Sequence, residues 1–215
     1  MEIEKSGLGG RPRGFDADEA LERAMLVFWE HGYEGASLTR LTEAMGISTT
    51  SMYAAFGNKE ALFRKALERY TDGPGSYLAR ALQEPTALGV VTEILTGVVR
   101  ATTIPGGPHG CLGVQGALST GDSGSGVRDL LVAWRDNGCS RLQERFRQAV
   151  VDGDLPPEAD PRLLARYVTT VTFGIAVQAA GGVGREELQE LADVVVRNWQ
   201  LAGHPALDQS SGLGR

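Results

Sequence analysis

Residues 37–62 read SLTRLTEAMGISTTSMYAAFGNKEAL, two short helices and the start of a third, joined by tight turns. Leu38, Leu41 and Met45 recur at the spacing of one helix face. Gly46 stands where that helix stops, since a residue without a Cβ takes the left-handed conformation at low cost. Ser48 is placed to cap the next helix, and Ile47 and Met52 flank it at the spacing of a hydrophobic staple. Gly57 ends that helix and Asn58 is placed to cap the one after it. A helix, a short turn containing glycine and a second helix form the helix-turn-helix signature.

The second helix of this pair crowds Ser48, Thr49, Thr50 and Ser51 into its first turn, while Met52 and Phe56 face inward. Hydroxyls and backbone N–H groups at a helix N-terminus can hold phosphates or reach base edges. Either these hydroxyls serve only as caps, or one caps and the others form a nucleic-acid surface that Tyr53 extends. Lys59 falls at the first position of the following helix, where the macrodipole disfavours a cation. It either shares an anion with the helix N–H groups or sits solvated in a weak pair with a nearby carboxylate.

Residues 15–70 resemble the DNA-binding domain of the TetR family of transcriptional regulators. The resemblance rests on Phe28, Gly32 and Tyr33, then Ser37 and Leu41, then Gly46-Ile47-Ser48, Met52-Tyr53, Phe56, Lys59-Glu60 and Leu62-Phe63. Ala54 and Ala55 depart from the pattern before Phe56, and Thr50 stands where glycine is common, which alters the docking surface rather than the fold. The resemblance implies DNA contacts from Ser37, Thr39, Arg40, Ser48, Thr49, Thr50, Ser51, Tyr53 and Lys59.

Outward from this stretch, the expected first helix runs from Asp16 to His31, with Glu19 three residues after Asp16 in a capping-box spacing. Its stripe is Leu21, Ala24, Met25 and Phe28, and Gly32 ends it. A fourth helix over 58–70 buries Leu62, Phe63, Ala66 and Leu67. Residues 1–14, with Arg11 and Arg13, form either a groove-reaching arm or a disordered tail.

The 215 residues are 42% hydrophobic and 22% charged, an ordinary globular composition. Net charge is −6, and residues 1–73 hold nine Lys/Arg against twelve Asp/Glu. That balance excludes a non-specific nucleic-acid coat and demands specific contacts made by two heads together. Cys111 and Cys139 make no disulfide framework. No apolar leader segment opens the chain, so a cytoplasmic location is expected. The most apolar run, 163–182, is interrupted by Arg166, three threonines and Gln178, so no membrane partner is expected.

Beyond the Asp72-Gly73-Pro74-Gly75 breaker the pattern remains helical, with helices expected near 75–83, 87–103, 110–120, 124–152, 161–181 and 185–201. The fold class is all-α. A helix-turn-helix domain over 15–73 precedes a helical ligand-binding and dimerisation domain over 74–203, and 204–215 form a tail. Leu188, Leu191, Val195 and Trp199 make a stripe on the last helix, and the helix before it is apolar nearly all round. The resemblance implies that these helices join a second copy in a four-helix bundle; the alternative is a thicker monomeric core.

The segment 104–118, IPGGPHGCLGVQGAL, is similar to a subgroup of the family with a small-residue helix beside a ligand cavity. His109, Cys111 and Gln115 from this segment, with Trp134, Tyr167, Phe173 and Gln178, are the candidate ligand-binding residues, and Phe146 is a further aromatic at helical spacing. Cys111 is either a packing residue or a sensor of oxidants or electrophiles, which requires a lowered thiol pKa. Three histidines, His31, His109 and His204, with no metal-ligand cluster and no base beside a nucleophile, exclude an enzyme, a metal or a cofactor. The sequence therefore reads as a homodimeric regulator of double-stranded operator DNA, a repressor released by a small-molecule effector. The alternative is a regulator whose second domain only dimerises or senses through Cys111.

Overall fold

The structure, a computed structural model, describes residues 15–118 and 125–199, with side chains described up to 115 in the first span. The proposed arm 1–14, with Arg11 and Arg13, and the tail 204–215, with His204, lie outside these residues. Among the described residues every named element is a helix, and the one extended feature is an isolated bridge between Thr103 and His109.

The head comprises α1 (Ala17–Gly35), α2 (Leu38–Met45), α3 (Thr49–Phe56) and α4 (Lys59–Asp72). Asp16 caps α1 by accepting the N–H groups of Asp18 and Glu19. The helix runs past its expected end because Gly32, at φ +67°, kinks the chain and lets one more turn form to Gly35. That turn carries Tyr33 back over the core, 5.4 Å from the Phe63 ring, which itself meets Phe28 edge-on at 5.0 Å. Leu41, Met52, Leu62 and Phe63 are fully buried beneath it.

The second half holds α5 (Tyr77–Ala81), α6 (Ala87–Thr102), α7 (Leu112–Leu118), α8 (Ser125–Val151), α9 (Pro161–Ala180) and α10 (Arg185–Arg197). A 3₁₀ turn over Pro74–Ser76 replaces the start expected for α5, because the chain there folds tightly against Tyr70. A Cβ on Gly75 would lie 3.0 Å from the Tyr70 carbonyl oxygen. α6 is the central rod, burying Val90, Val91, Ile94, Leu95, Val98 and Val99 against α5, α9 and α10. Arg185 joins the start of α10 to the end of α6, with Nε donating to Thr103 Oγ1 at 2.9 Å.

The α10 stripe differs from expectation. Leu188, Ala192, Val195 and Trp199 are buried in this chain's own core, with Trp199 5.3 Å from the Phe146 ring. Leu191 and Val194 instead point outward, each 43% exposed. α9 is long and apolar enough to cross a membrane, by length and composition alone. Leu164, Ala165, Val168, Ile175 and Ala179 on it nonetheless pack into the protein core.

The two halves share one packed seam. Cys111, Leu112, Val114, Val127, Leu131 and Ala176 belong to the same apolar core as the head. Trp29 Nε1 donates to the Gly110 carbonyl at 3.0 Å, and its ring meets Tyr70 edge-on at 4.8 Å. The segment 110–114 is thus wedged against α1 and α4.

Candidate nucleic-acid interface

The turn between α2 and α3 is fixed by hydrogen bonds among its own residues. Ser37 Oγ accepts the Arg40 N–H at 3.2 Å and caps α2. At the other end Gly46 takes the left-handed conformation, φ +68°. The Gly46 N–H then reaches Glu43 and the Ile47 N–H reaches Thr42, both at 3.1 Å, which closes the helix by a Schellman motif. Ser48 follows at once and caps α3, accepting the Ser51 N–H at 3.1 Å. Met52 and Phe56 anchor α3 in the head core, so its other face is held outward.

That outward face differs in detail from the sequence reading. The Ser48 and Ser51 hydroxyls bond each other at 3.0 Å, so both already have a protein partner. Thr49 and Thr50 are exposed at the first two helical positions, and Tyr53 is 45% exposed one turn later. Thr39 and Arg40 are exposed on α2, and Arg40 Nη1 donates to the Gly35 carbonyl at 2.9 Å. Arg40 retains further donors beyond that bond.

Lys59 begins α4 beyond the Asn58 cap, whose Oδ1 accepts the Ala61 N–H at 2.7 Å. Its ammonium lies 4.4 Å from the Tyr33 ring centroid, a cation–π contact that explains a cation at this helix position without any anion. Burial lowers the Lys59 pKa while the Glu34 charge raises it. Burial, then Glu60 and Glu34, raises that of the Tyr33 phenol.

Several acids of the head are gathered away from this surface. Arg69 Nε donates to Glu22 at 2.6 Å and lies 3.6 Å from Asp18. The hydrogen bond to Glu22 and the charges of Glu22, Asp18 and Asp16 outweigh desolvation and raise the guanidinium pKa. Arg69 sits near the end of α4 and Lys59 at its start, about 15 Å apart by the helix rise. α3 itself carries no charged side chain.

The family model for bacterial regulatory proteins of the tetR family matches residues 20–66. The HTH-type transcriptional repressor ComR of Escherichia coli strain K12 is 31% identical over 192 residues, 88% of this chain and 91% of ComR. The repressor BdcR of the same strain is 32% identical over 185 residues, 86% of this chain and 89% of BdcR. The chain belongs to the TetR family of transcriptional regulators. A cysteine mutant of the TetR family regulator CifR, solved with a 26-bp double-strand operator DNA, superimposes with TM-score 0.83 at 46% identity. The likeness covers 87% of this chain and 98% of that one.

As in other members of the TetR family, the helical second half follows the head, and here a partly open cavity of about 270 Å³ lies between the end of α4 and α5, α6, α8 and α9. Trp134 and Phe173 line it. The remaining candidate ligand residues lie elsewhere. His109 is exposed at the Thr103 bridge, since the 104–108 turn swings it outward. Gln178 is exposed on α9, and Tyr167 and Phe146 pack into the second core. Gln115 lies against Gly110, whose added Cβ would meet its side chain at 2.8 Å.

Cys111 is 2% exposed in the head core, and its Sγ accepts the Tyr70 hydroxyl at 3.3 Å. Burial pushes its thiol pKa up against the lowering effect of that bond, the direction opposite to activation. The cysteine at the cavity is Cys139, joined there by Tyr77, Arg135, Arg141 and Thr172, which the sequence reading missed. The signal available was the spacing Trp134, Gly138, Leu142 on α8, a small residue between two large ones on one helix face. Gly113 serves close approach: a Cβ there would lie 2.3 Å from the Trp134 ring.

Proposed function

We propose that the chain is a homodimeric repressor that binds double-stranded operator DNA in the cytoplasm and is released by a small-molecule effector. The observation that carries the DNA reading is the exposed first turn of α3, where Thr49 and Thr50 project from a frame locked by Ser48, Gly46 and the buried Met52. α3 enters the major groove with Thr49, Thr50 and Arg40 near base edges. Tyr53, Lys59, Thr39 and the hydroxyls of Ser37, Ser48 and Ser51 face phosphates. A capping serine accepts a backbone N–H and keeps its own proton, which leaves Ser37 and one hydroxyl of the Ser48–Ser51 pair able to donate to phosphate. Lys59 exchanges the Tyr33 ring and its partial desolvation for a phosphate.

Support for a second copy comes from α9 and α10. Leu163 and Val177 on α9 are 59% and 47% exposed, Leu191 and Val194 on α10 are each 43% exposed, and a Cβ on Gly174 would meet nothing within 4 Å. These are apolar positions on the two helices that the family resemblance assigns to dimerisation. Pairing them sets two α3 helices at a fixed separation, matched to half-sites a helical turn or a multiple apart.

Release follows from the path between cavity and head. Trp134 in the cavity wall donates through Nε1 to Thr71 Oγ1 on α4 at 2.9 Å. A ligand that moves Trp134 moves the end of the helix whose start lies beside α3. It releases DNA only by favouring the non-binding separation of the heads. The sensor reading through Cys111 draws no support from its burial and raised thiol pKa.

The experiment is a gel shift with duplexes selected from a random pool, comparing wild type with Thr49→Ala and Thr50→Ala. Each substitution at a base-reading position weakens the selected duplex by about 1–3 kcal/mol and relaxes its sequence at that position. Unchanged affinity and unchanged sequence preference in both variants refute the assignment.

A further inference from the structure

The walls of the α4/α5/α6/α8/α9 cavity are mostly apolar, with Ile94, Leu142, Trp134 and Phe173 among them. Its charged lining residues are Arg135 and Arg141, and no carboxylate is among the residues lining it. Arg141 forms no ion pair among the described residues, and Arg135 donates to the Gly113 carbonyl at 2.9 Å and to no acid there. Both lie on α8, six residues apart, on either side of Gly138. Opposite them Tyr77 stands with its Cβ pressed on Gly97, whose own Cβ would be 2.4 Å away. Among the described residues no group hydrogen-bonds the Tyr77 hydroxyl, and burial keeps it a neutral phenol able to donate.

Two guanidinium groups without acids beside an apolar space favour an anion there. We propose that the effector is a small amphipathic anion, an aromatic or aliphatic carboxylate whose body fills the cavity and whose acid group meets Arg141 and Arg135. This rests on the effector reading above and specifies its chemistry. The apolar body gains by burial against Trp134, Phe173 and Ile94. The carboxylate gains charge-assisted hydrogen bonds, stronger than those between neutral groups. A cationic ligand of the same shape meets two like charges, and a neutral one leaves both guanidinium groups as they are.

Isothermal titration calorimetry on the full-length, DNA-free protein tests this with three probes of one shape, 4-phenylbutanoate, 4-phenylbutan-1-ol and 4-phenylbutylamine. The acid is expected to bind about tenfold or more tighter than the alcohol, with the amine weakest. Arg141→Gln, at an exposed position, brings the acid towards the alcohol and leaves the alcohol unchanged. Ala133→Trp, at an exposed position on the cavity rim, sets a ring across its opening and abolishes binding of both. Equal binding of acid and alcohol overturns the anion and leaves a neutral effector in place, and an acid preference untouched by Arg141→Gln overturns the assignment of the acid group to Arg141. Binding that survives Ala133→Trp overturns the site. Absence of binding by all three probes overturns the proposal together with the effector reading of this cavity.

Discussion

Replacing Trp29 by phenylalanine probes whether head and second half share one core. The indole Nε1 supplies a 3.0 Å hydrogen bond to the Gly110 carbonyl, and both residues are buried. Phenylalanine keeps an aromatic ring against Tyr70 but has no donor, so the carbonyl is stranded at a cost of about 1–3 kcal/mol. The smaller ring also leaves a void, for roughly 1 kcal/mol more. The sum, about 2–4 kcal/mol, is large against the 5–15 kcal/mol typical of a folded domain. Urea unfolding at one fixed protein concentration measures it, since dimerisation makes stability depend on concentration. Tyr70→Phe, which removes the bond to Cys111, completes a double-mutant cycle with a coupling above about 0.5 kcal/mol, because the two rings touch. A loss below about 0.5 kcal/mol for Trp29→Phe, or strict additivity with Tyr70→Phe, refutes a shared and tightly packed seam.

Gly46→Ala is expected to cost about 1–2 kcal/mol from the left-handed backbone alone, since the added Cβ meets only Arg23 at 3.5 Å; thermal unfolding checks this. In a Cys139→Ser background, Cys111 is expected to resist a thiol reagent at mildly alkaline pH until denaturant is added, because burial holds its pKa above the ordinary thiol value; rapid native labelling contradicts it. Val177→Glu combined with Val194→Glu is expected to yield monomers in sedimentation velocity and to leave the helical circular dichroism in place, as both side chains are exposed within one chain. A dimer that persists at micromolar concentration places the interface elsewhere.

Legibility in the sequence followed the range of the interaction. Asp16, Ser37, Ser48 and Asn58 cap helices through bonds two or three residues away, so the pattern of single residues announces them. The Gly46 turn is legible for the same reason. Trp29 meets Gly110 across 81 positions and Trp134 meets Thr71 across 63, and no local pattern encodes such partners. The cavity was therefore the least legible part. Phe146, Tyr167 and Phe173 are all aromatic at helical spacing, and only the packing of α8 against α9 decides that Phe173 borders space while the others pack on the core. Lys59 shows a subtler limit. The oddity of a cation at a helix start was visible, but its partner, the Tyr33 ring, depends on the extra turn after Gly32.

The most direct test of the DNA-reading head is the salt dependence of affinity for a duplex selected from a random pool, measured by fluorescence anisotropy for wild type and Lys59→Ala. A dimer with one Lys59–phosphate contact per head is expected to lose about two from the slope of log K against log salt, with sequence preference unchanged. An unchanged slope removes Lys59 from the interface, and failure of the wild-type protein to enrich any duplex contradicts the account as a whole.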